Sequence, residues 1–491
     1  MKISKKQRQV GVLLHISSLP SGGLALGALG KNAYQFADFL SEIGAKVWQT
    51  LPLNMPHADG SPYQCLSAHA GNPAFISVQK LVAQNWLSKA DLVSYDANQT
   101  PEYKQLLIEK VFAQFEQAGA PAEQLAFKQF CRKHADWLND FALFLVLRKQ
   151  FQQLAWNKWP TPYKKRDENA LNLVKKQHAV EISMIKFTQF LFFLQWAALK
   201  TYANQKGIAM FGDIPIFVAY DSADVWANPA LFKLDARFNM KVVAGVPPDY
   251  FSSTGQRWGN PHYNWRAMQA DGYQWWLARM ATQNSLFDMV RIDHFRGLEA
   301  AWEIPASEAT AIKGKWRKAP GAALLAAIKA RFPRMCLIAE DLGIITPQVT
   351  ALRDKFKLPG MKILQFAFGG GEENMYLPHN IEPNSVVYTG THDNDTTLGW
   401  YGALDAATKK HLHDYVYNAT PKMPSALVNM ALASKANLAI IPMQDILELG
   451  TQSRMNTPGT SYGNWSWRFD WPQLSADLKV QFAQAIRQSN R

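Results

Sequence analysis

Eight short apolar runs punctuate the chain, each bounded by turn residues: 10–16 (VGVLLHI), 46–53 (KVWQTLPL), 208–213 (IAMFGD), 289–293 (MVRID), 335–341 (MCLIAED), 362–368 (KILQFAF), 386–393 (VVYTGTHD) and 438–445 (LAIIPMQD). Runs of this length without polar alternation mark parallel strands covered on both faces. Patterns at helical spacing lie between most of them, among them 34–43, 321–332 and 406–417. Strands alternating with helices in this way predict an α/β fold, a (β/α)8 TIM barrel. Two intervals are too long for a simple crossover. Residues 54–207 open with a loop and continue with helical patterns at 102–117, 124–132, 135–151 and 182–204, which predicts a helical insertion between the second and third strands. Residues 226–285 contain GVPPDYFSSTGQRWGNPHYNW, a Gly-, Pro- and aromatic-rich stretch suited to a substrate-binding loop or lid between the third and fourth strands. The whole of 1–491 is expected to be one barrel with insertions, although length alone would suggest roughly three domains.

Composition narrows the class. Hydrophobic residues make up 48% of the chain and charged residues 19%, as in an ordinary soluble globular protein. Net charge is +13, from 52 Lys and Arg against 39 Asp and Glu, but the basic residues are spread thinly. Their compact clusters are Lys5, Lys6 and Arg8, and residues 164–166. No RNA- or DNA-binding motif accompanies them, so no nucleic-acid partner is expected. Cys65, Cys131 and Cys336 stand far apart with no CxxC pair, which predicts neither a disulfide framework nor a zinc site. The opening MKISKKQRQVG lacks the apolar core of a signal peptide. The most apolar helical pattern, 187–199, is too short to span a bilayer and is interrupted by Gln189 and Gln195. A cytoplasmic protein without membrane contact is expected, a monomer or a weak homo-oligomer. The 17 Trp, 16 Tyr and 27 Phe suit a site for flat, partly apolar ligands such as sugars, although a densely packed core reads the same way.

Acids arrive where the runs end: Asp213, Asp293, Glu340, Asp393 and Asp445. In a barrel these ends share one face, so carboxylates distant in sequence converge. Within 289–293, side chains two apart point the same way, which sets Arg291 beside Asp293 and predicts that the guanidinium holds the carboxylate ionised. Such a group serves as a covalent nucleophile or a metal ligand; a structural ion pair capping the strand is the bland alternative. Glu340 follows the apolar LIA, so desolvation is expected to raise its pKa and keep a proton on it. Two carboxylates pushed apart in this way fit nucleophile and acid/base work on a glycosidic bond. Asp393 with His392 makes a further polar pair able to grip hydroxyls. Strand alternation turns Asp341 away from Glu340, and Asp393, rather than Asp395, directly ends its run. A hydrolytic metal site drawn from His15, His294 and His392 competes with this reading. No HxH or HExxH spacing supports it, so no metal is expected.

RIDHFRG (291–297), AEDLG (339–343), THDNDT (391–396) and GDIPIFVAYDSADVW (212–226) together resemble the 4-α-glucanotransferases of the amylomaltase, or disproportionating-enzyme, family. This is glycoside hydrolase family 77 of the α-amylase superfamily. SPYQ…SAHAGNP, GQRWGNPHYNW and RMNTPGT…NWSWR extend the resemblance nearly end to end. It implies a barrel with insertions and no C-terminal β-sandwich. The implied activity moves segments of a 1,4-α-glucan to the 4-hydroxyl of glucose or a malto-oligosaccharide, with retention of configuration and no cofactor. Carried over by motif, Asp293 is the nucleophile, Glu340 the acid and then the base, and Asp393 the grip on the distorted glucose. Arg291 orients Asp293, and the resemblance implies that Asp213, His294, His392, Tyr63, Trp258 and Asn464 bind substrate. The alternatives are a structural role for Asp213, satisfied barrel histidines at 294 and 392, and loop packing for the other three. Retention would set the two catalytic carboxyl groups about 5–5.5 Å apart. The loop PLNMPHADGSPYQ departs from the family pattern and leaves the acceptor-end contacts open. The rivals are an amylase-type hydrolase, a metal-dependent hydrolase and a glucan-binding protein with a dead barrel. Closure of 250–265 over the cleft, excluding water, would favour transfer.

Overall fold

Twelve strands organise the chain in a computed structural model that describes residues 8–21, 26–249, 252–417 and 422–491. They are β1 (Gln9–Leu13), β2 (Val47–Gln49), β3 (Ala209–Pro215), β4 (Val242–Val246), β5 (Gln256–Pro261), β6 (Met289–Asp293), β7 (Ala300–Pro305), β8 (Lys315–Lys318), β9 (Cys336–Ala339), β10 (Gly360–Ile363), β11 (Ser385–Tyr388) and β12 (Leu438–Pro442). Eight form one sheet in the order β10-β11-β12-β1-β2-β3-β6-β9, and every pairing in it is parallel. Each overlaps one of the eight apolar runs. The ring is joined between β9 and β10 by the Ala339 N–H, which donates to the Pro359 carbonyl at 2.9 Å. Asp341 reinforces that seam by accepting from the Met361 N–H at 2.7 Å and from Arg353 at 2.6 Å. Asp341 therefore does turn away from Glu340. The fold is a (β/α)8 barrel, and no strand follows β12 among the described residues.

Alternation sorts the strand side chains into two separate apolar clusters. Val47, Ala209, Phe211, Met289, Met361, Ile363, Val386, Tyr388, Leu438 and Ile440 fill the barrel. Val10, Val12, Trp48, Met210, Val290, Ile292, Leu337 and Ala439 face outward to the helices. Continuing the inward series 209, 211 and 289 in steps of two reaches Asp213, then Arg291 and Asp293. The polar site is thus the top layer of the barrel's own interior.

Between β2 and β3 the chain is helical, and its longest helix, Ala179–Gln205, corrects the expectation drawn from 187–199. At 27 residues it is long and apolar enough to cross a membrane by length and composition, and half of its most apolar window is buried within the protein. The two glutamines that interrupt it are clamps. Gln189 accepts from the Gly71 N–H at 2.8 Å and donates to the Gly71 carbonyl at 3.0 Å. Gln195 treats Ser77 in the same way, at 2.8 and 3.1 Å. Gly71 has no room for a Cβ, which would stand 2.1 Å from the Phe192 ring. Together these contacts dock the 67–77 loop on the helix. Replacing Gln189 with Leu strands a buried N–H and a buried C=O, a cost of about 1–3 kcal/mol for each unsatisfied group. The variant is expected to unfold at lower urea concentration than the parent.

A second sheet, antiparallel and ordered β5-β4-β7-β8, stands on the route from β3 to β9. Its strands are short and partly exposed. Two of them fall inside the stretch expected to be an irregular loop, and residues 250–251 of that expected lid lie outside the described residues. Most of the aromatic surplus is packing: Trp48, Trp156, Trp159, Trp196, Trp226 and Trp276 are fully buried.

Candidate active site

A cleft of about 490 Å³ opens at the C-terminal ends of the barrel strands. Tyr63, Trp258, Arg291, Asp293, His294, Glu340 and Asp393 line it, seven of the ten residues singled out from the sequence. Asp213, His392 and Asn464 do not.

Arg291 is the hub. Strand register sets Asp213 of β3 opposite Arg291 of β6. The guanidinium donates to Asp213 at 2.5 Å through Nη1 and to Asp293 Oδ1 at 2.7 Å through Nη2. Tyr63 adds its hydroxyl to Asp213 at 2.8 Å. Asp213 is 1% exposed, so it supports Arg291 from behind and does not reach the cleft. The Asp293 side chain keeps 28% of its surface open. Arg291 does not hold the Asp293 pKa down, as the sequence suggested. Burial outweighs the cation and raises it from the ordinary 3.8 to about 6, with the Asp213 and Asp393 charges adding to the rise. Asp293 remains ionised in most molecules at pH 7.

Glu340 follows β9 directly, and its carboxyl is held by two backbone N–H groups. His294 donates to Oε2 at 2.6 Å and Leu342 to Oε1 at 3.2 Å. The His294 N–H reaches it because His294 adopts a left-handed backbone, φ 54°, that turns the chain sharply after β6. Burial and then the Asp293 charge raise the Glu340 pKa from 4.5 to about 8. At pH 7 one carboxylate is therefore charged and its neighbour protonated.

Asp393 does not end a strand. β11 stops at Tyr388, and Asp393 lies in the turn that follows. Three groups hold it there. Asn456 Nδ2 donates to its Oδ1 at 2.6 Å, Arg454 to its carbonyl at 2.6 Å, and His392 stands 3.4 Å from Oδ2. His392 is buried, which lowers its pKa and keeps it neutral, and it stacks on Tyr63 with ring centroids 5.2 Å apart. It shapes the wall of the cleft without lining it. Trp258 meets the His294 ring edge-on at 4.8 Å. Asn464 faces its own loop: its carbonyl accepts from the Thr457 N–H at 2.9 Å, and its amide donates to Thr460. The loop's Pro458 and Gly459, with neighbouring Trp465, line the cleft instead.

Sequence reasoning missed Arg454 and Asn456, which lie two apart in RMN, the spacing that identified Arg291 with Asp293. It also missed Arg296 and Trp316, the second because β8 was not foreseen. Asp395 bonds Thr451 at 2.9 Å, and Asp445 is buried among Thr389 and Thr397, so neither joins the cleft. Among the described residues no group of three or more His, Cys, Asp or Glu stands ready to hold a metal ion.

Two buried carboxyl groups with separated pKa values, on the rim of a (β/α)8 barrel, form the arrangement found in enzymes that work on glycosidic bonds. The family profile described as 4-α-glucanotransferase matches residues 14–474. The 4-α-glucanotransferase of Thermus thermophilus is 47% identical over 482 residues, covering 96% of each chain. That of Solanum tuberosum is 43% identical over 491 residues, covering 96% of this chain and 85% of the relative. Among solved structures, the amylomaltase of Streptococcus agalactiae in complex with acarbose superposes with a TM-score of 0.94 at 36% identity, covering 99% of this chain and 100% of that one. The chain belongs to the 4-α-glucanotransferase family, glycoside hydrolase family 77, and is a glucan-transferring enzyme.

Proposed function

We propose that the chain disproportionates malto-oligosaccharides by a retaining double displacement, and that Asp293, Glu340 and Asp393 carry it. The observation behind this reading is that Asp293, held by Arg291, and Glu340, held by two backbone N–H groups, line one cleft. There burial and the Asp293 charge push the Glu340 pKa above that of Asp293. In the first step the free Oδ of Asp293 attacks the anomeric carbon. The glycosidic C1–O bond breaks, and Glu340 gives its proton to the departing 4-oxygen. A β-glucosyl-enzyme results, and the reducing-end fragment leaves. In the second step Glu340, now a carboxylate, takes the proton from the 4-hydroxyl of glucose or a glucan. That oxygen attacks the same carbon from the other face, restores the α-linkage and frees Asp293. Arg291 fixes the attacking carboxylate, and Asp393, braced by Asn456, grips hydroxyls of the distorted sugar. No cofactor enters.

Incubation with maltotriose is expected to yield a ladder of longer maltodextrins together with glucose, unchanged by chelator. Shortening to maltose and glucose alone would mean that water wins the second step; loss of activity with chelator would mean a metal enzyme. The same assignment fixes the pH dependence. Activity requires Asp293 unprotonated and Glu340 protonated, so kcat/KM should rise through about pH 6 and fall through about pH 8. Both limbs belong to the interacting pair. A rate that climbs steadily to pH 10 would contradict the role of Glu340.

A further inference from the structure

The two N–H groups that hold Glu340 come from different segments. His294 opens the turn 294–298 after β6, and Leu342 lies in the loop that follows β9. Their backbones meet at the catalytic residue, where the Phe295 N–H donates to the Glu340 carbonyl at 3.1 Å and the Glu340 N–H donates to the Ile292 carbonyl of β6 at 3.1 Å. Another tie lies further out: Arg296 Nη1 donates to the carbonyl of Ile344. The guanidinium is itself fixed, lying 3.6 Å from the centre of the Trp316 ring, on β8 of the second sheet. Arg296, Trp316 and Ile344 all border the cleft. The Phe295 and Ile292 bonds fix Glu340, and Met361 and Arg353 fix Asp341, but residues 342–346, which carry the Leu342 N–H, can still pivot beyond Asp341. The Arg296 bond removes that freedom, and Trp316 keeps the guanidinium from swinging out into the cleft.

We propose that Arg296 is a positioning residue for the acid/base: it locks together the two segments whose backbone N–H groups aim Glu340, and it borrows its rigidity from the second sheet. The proposal rests on Glu340 being the acid/base. It also gives the second sheet a part in the reaction, as the anchor of the Glu340 loop.

The test compares two donors. Breaking maltotriose needs Glu340 to protonate the leaving oxygen; breaking α-maltosyl fluoride does not, because fluoride departs as an anion while Asp293 forms its bond to the anomeric carbon. Arg296→Met keeps the bulk of the side chain and removes the donor. It is expected to lower kcat for maltotriose by about ten- to a hundredfold, the scale of a misplaced catalytic group, with KM within twofold. First-turnover fluoride release is expected to stay within threefold of the parent. Arg296→Lys retains one donor without the planar stack, and is expected to lose two- to fivefold on maltotriose with the same donor dependence. If the Met variant fails to fold, the Lys variant decides. Equal losses on both donors, parental activity in the Lys variant, or a raised KM at unchanged kcat would each overturn the proposal, the last by making Arg296 a sugar contact. Glu340→Ala in the same assay separates the two claims: if it shows no donor dependence, the acid/base assignment itself has failed.

Discussion

Asp293→Asn is expected to lower kcat for maltotriose disproportionation by at least about 10⁴-fold, the scale seen when a covalent nucleophile is removed. The amide is nearly isosteric, and its oxygen can still accept from Arg291 Nη2, which now holds Oδ1. The loss should therefore appear without unfolding. Stability gives a second, opposite readout. The folded Asp293 pKa, about 6, lies above that of an unfolded aspartate. The folded state thus binds the proton more tightly, and this group lowers stability progressively as pH rises from about 4 to about 6. An uncharged amide removes that penalty, so at pH 8 the variant should unfold at the parent's temperature or above it. A large drop in unfolding temperature would assign the lost activity to misfolding, and activity within tenfold of the parent would refute the nucleophile. With α-maltosyl fluoride and azide, truncation by Asp293→Ala is expected to give the β-azide, because azide enters the space that the carboxyl group leaves on that face.

The barrel was legible because a parallel strand buried on both faces has to be a continuous apolar run, and each of the eight runs that meet this condition overlaps one barrel strand. The Arg291–Asp293 pair was legible for a related reason: alternation is a local rule that needs no tertiary information. What escaped depends on surroundings. Desolvation decides the Asp293 pKa, and the sequence shows Arg291 beside it but not the barrel interior beneath. β5 reads QRWGNP and β8 reads KWRK, strands with too few apolar positions to stand out from loop. Asn464 lies in a motif that resembles a glucan-contacting loop, yet its amide is spent on Thr457 and Thr460, a local competition that spacing does not reveal. The helical pattern at 182–204 nearly spans the full element, Ala179–Gln205, whereas its most apolar stretch, 187–199, understates the length.

Glu340→Ala is the complementary case, and alanine is the informative replacement. Both carboxyl oxygens accept backbone N–H groups, from His294 and Leu342, so a glutamine would have to turn its NH₂ against one of two donors. The alanine variant is expected to lose about 10²–10⁴-fold in kcat on maltotriose, the usual worth of general acid/base catalysis. It should also lose the basic limb of the pH profile, since no group near pH 8 remains to be held protonated. On α-maltosyl fluoride the first turnover proceeds at nearly the parental rate. Transfer to the acceptor then stalls for want of a base, and the glycosyl-enzyme accumulates in amounts visible by intact-protein mass. Azide needs no base. It fills the space left by the carboxyl group, attacks the intermediate from the face Glu340 served, and releases the α-azide. The two alanine variants, Asp293→Ala and Glu340→Ala, should therefore yield opposite anomers from the same donor and the same anion. Only carboxyl groups on opposite faces of one sugar can produce that result. The same anomer from both variants would place Asp293 and Glu340 on one face and end the double-displacement assignment.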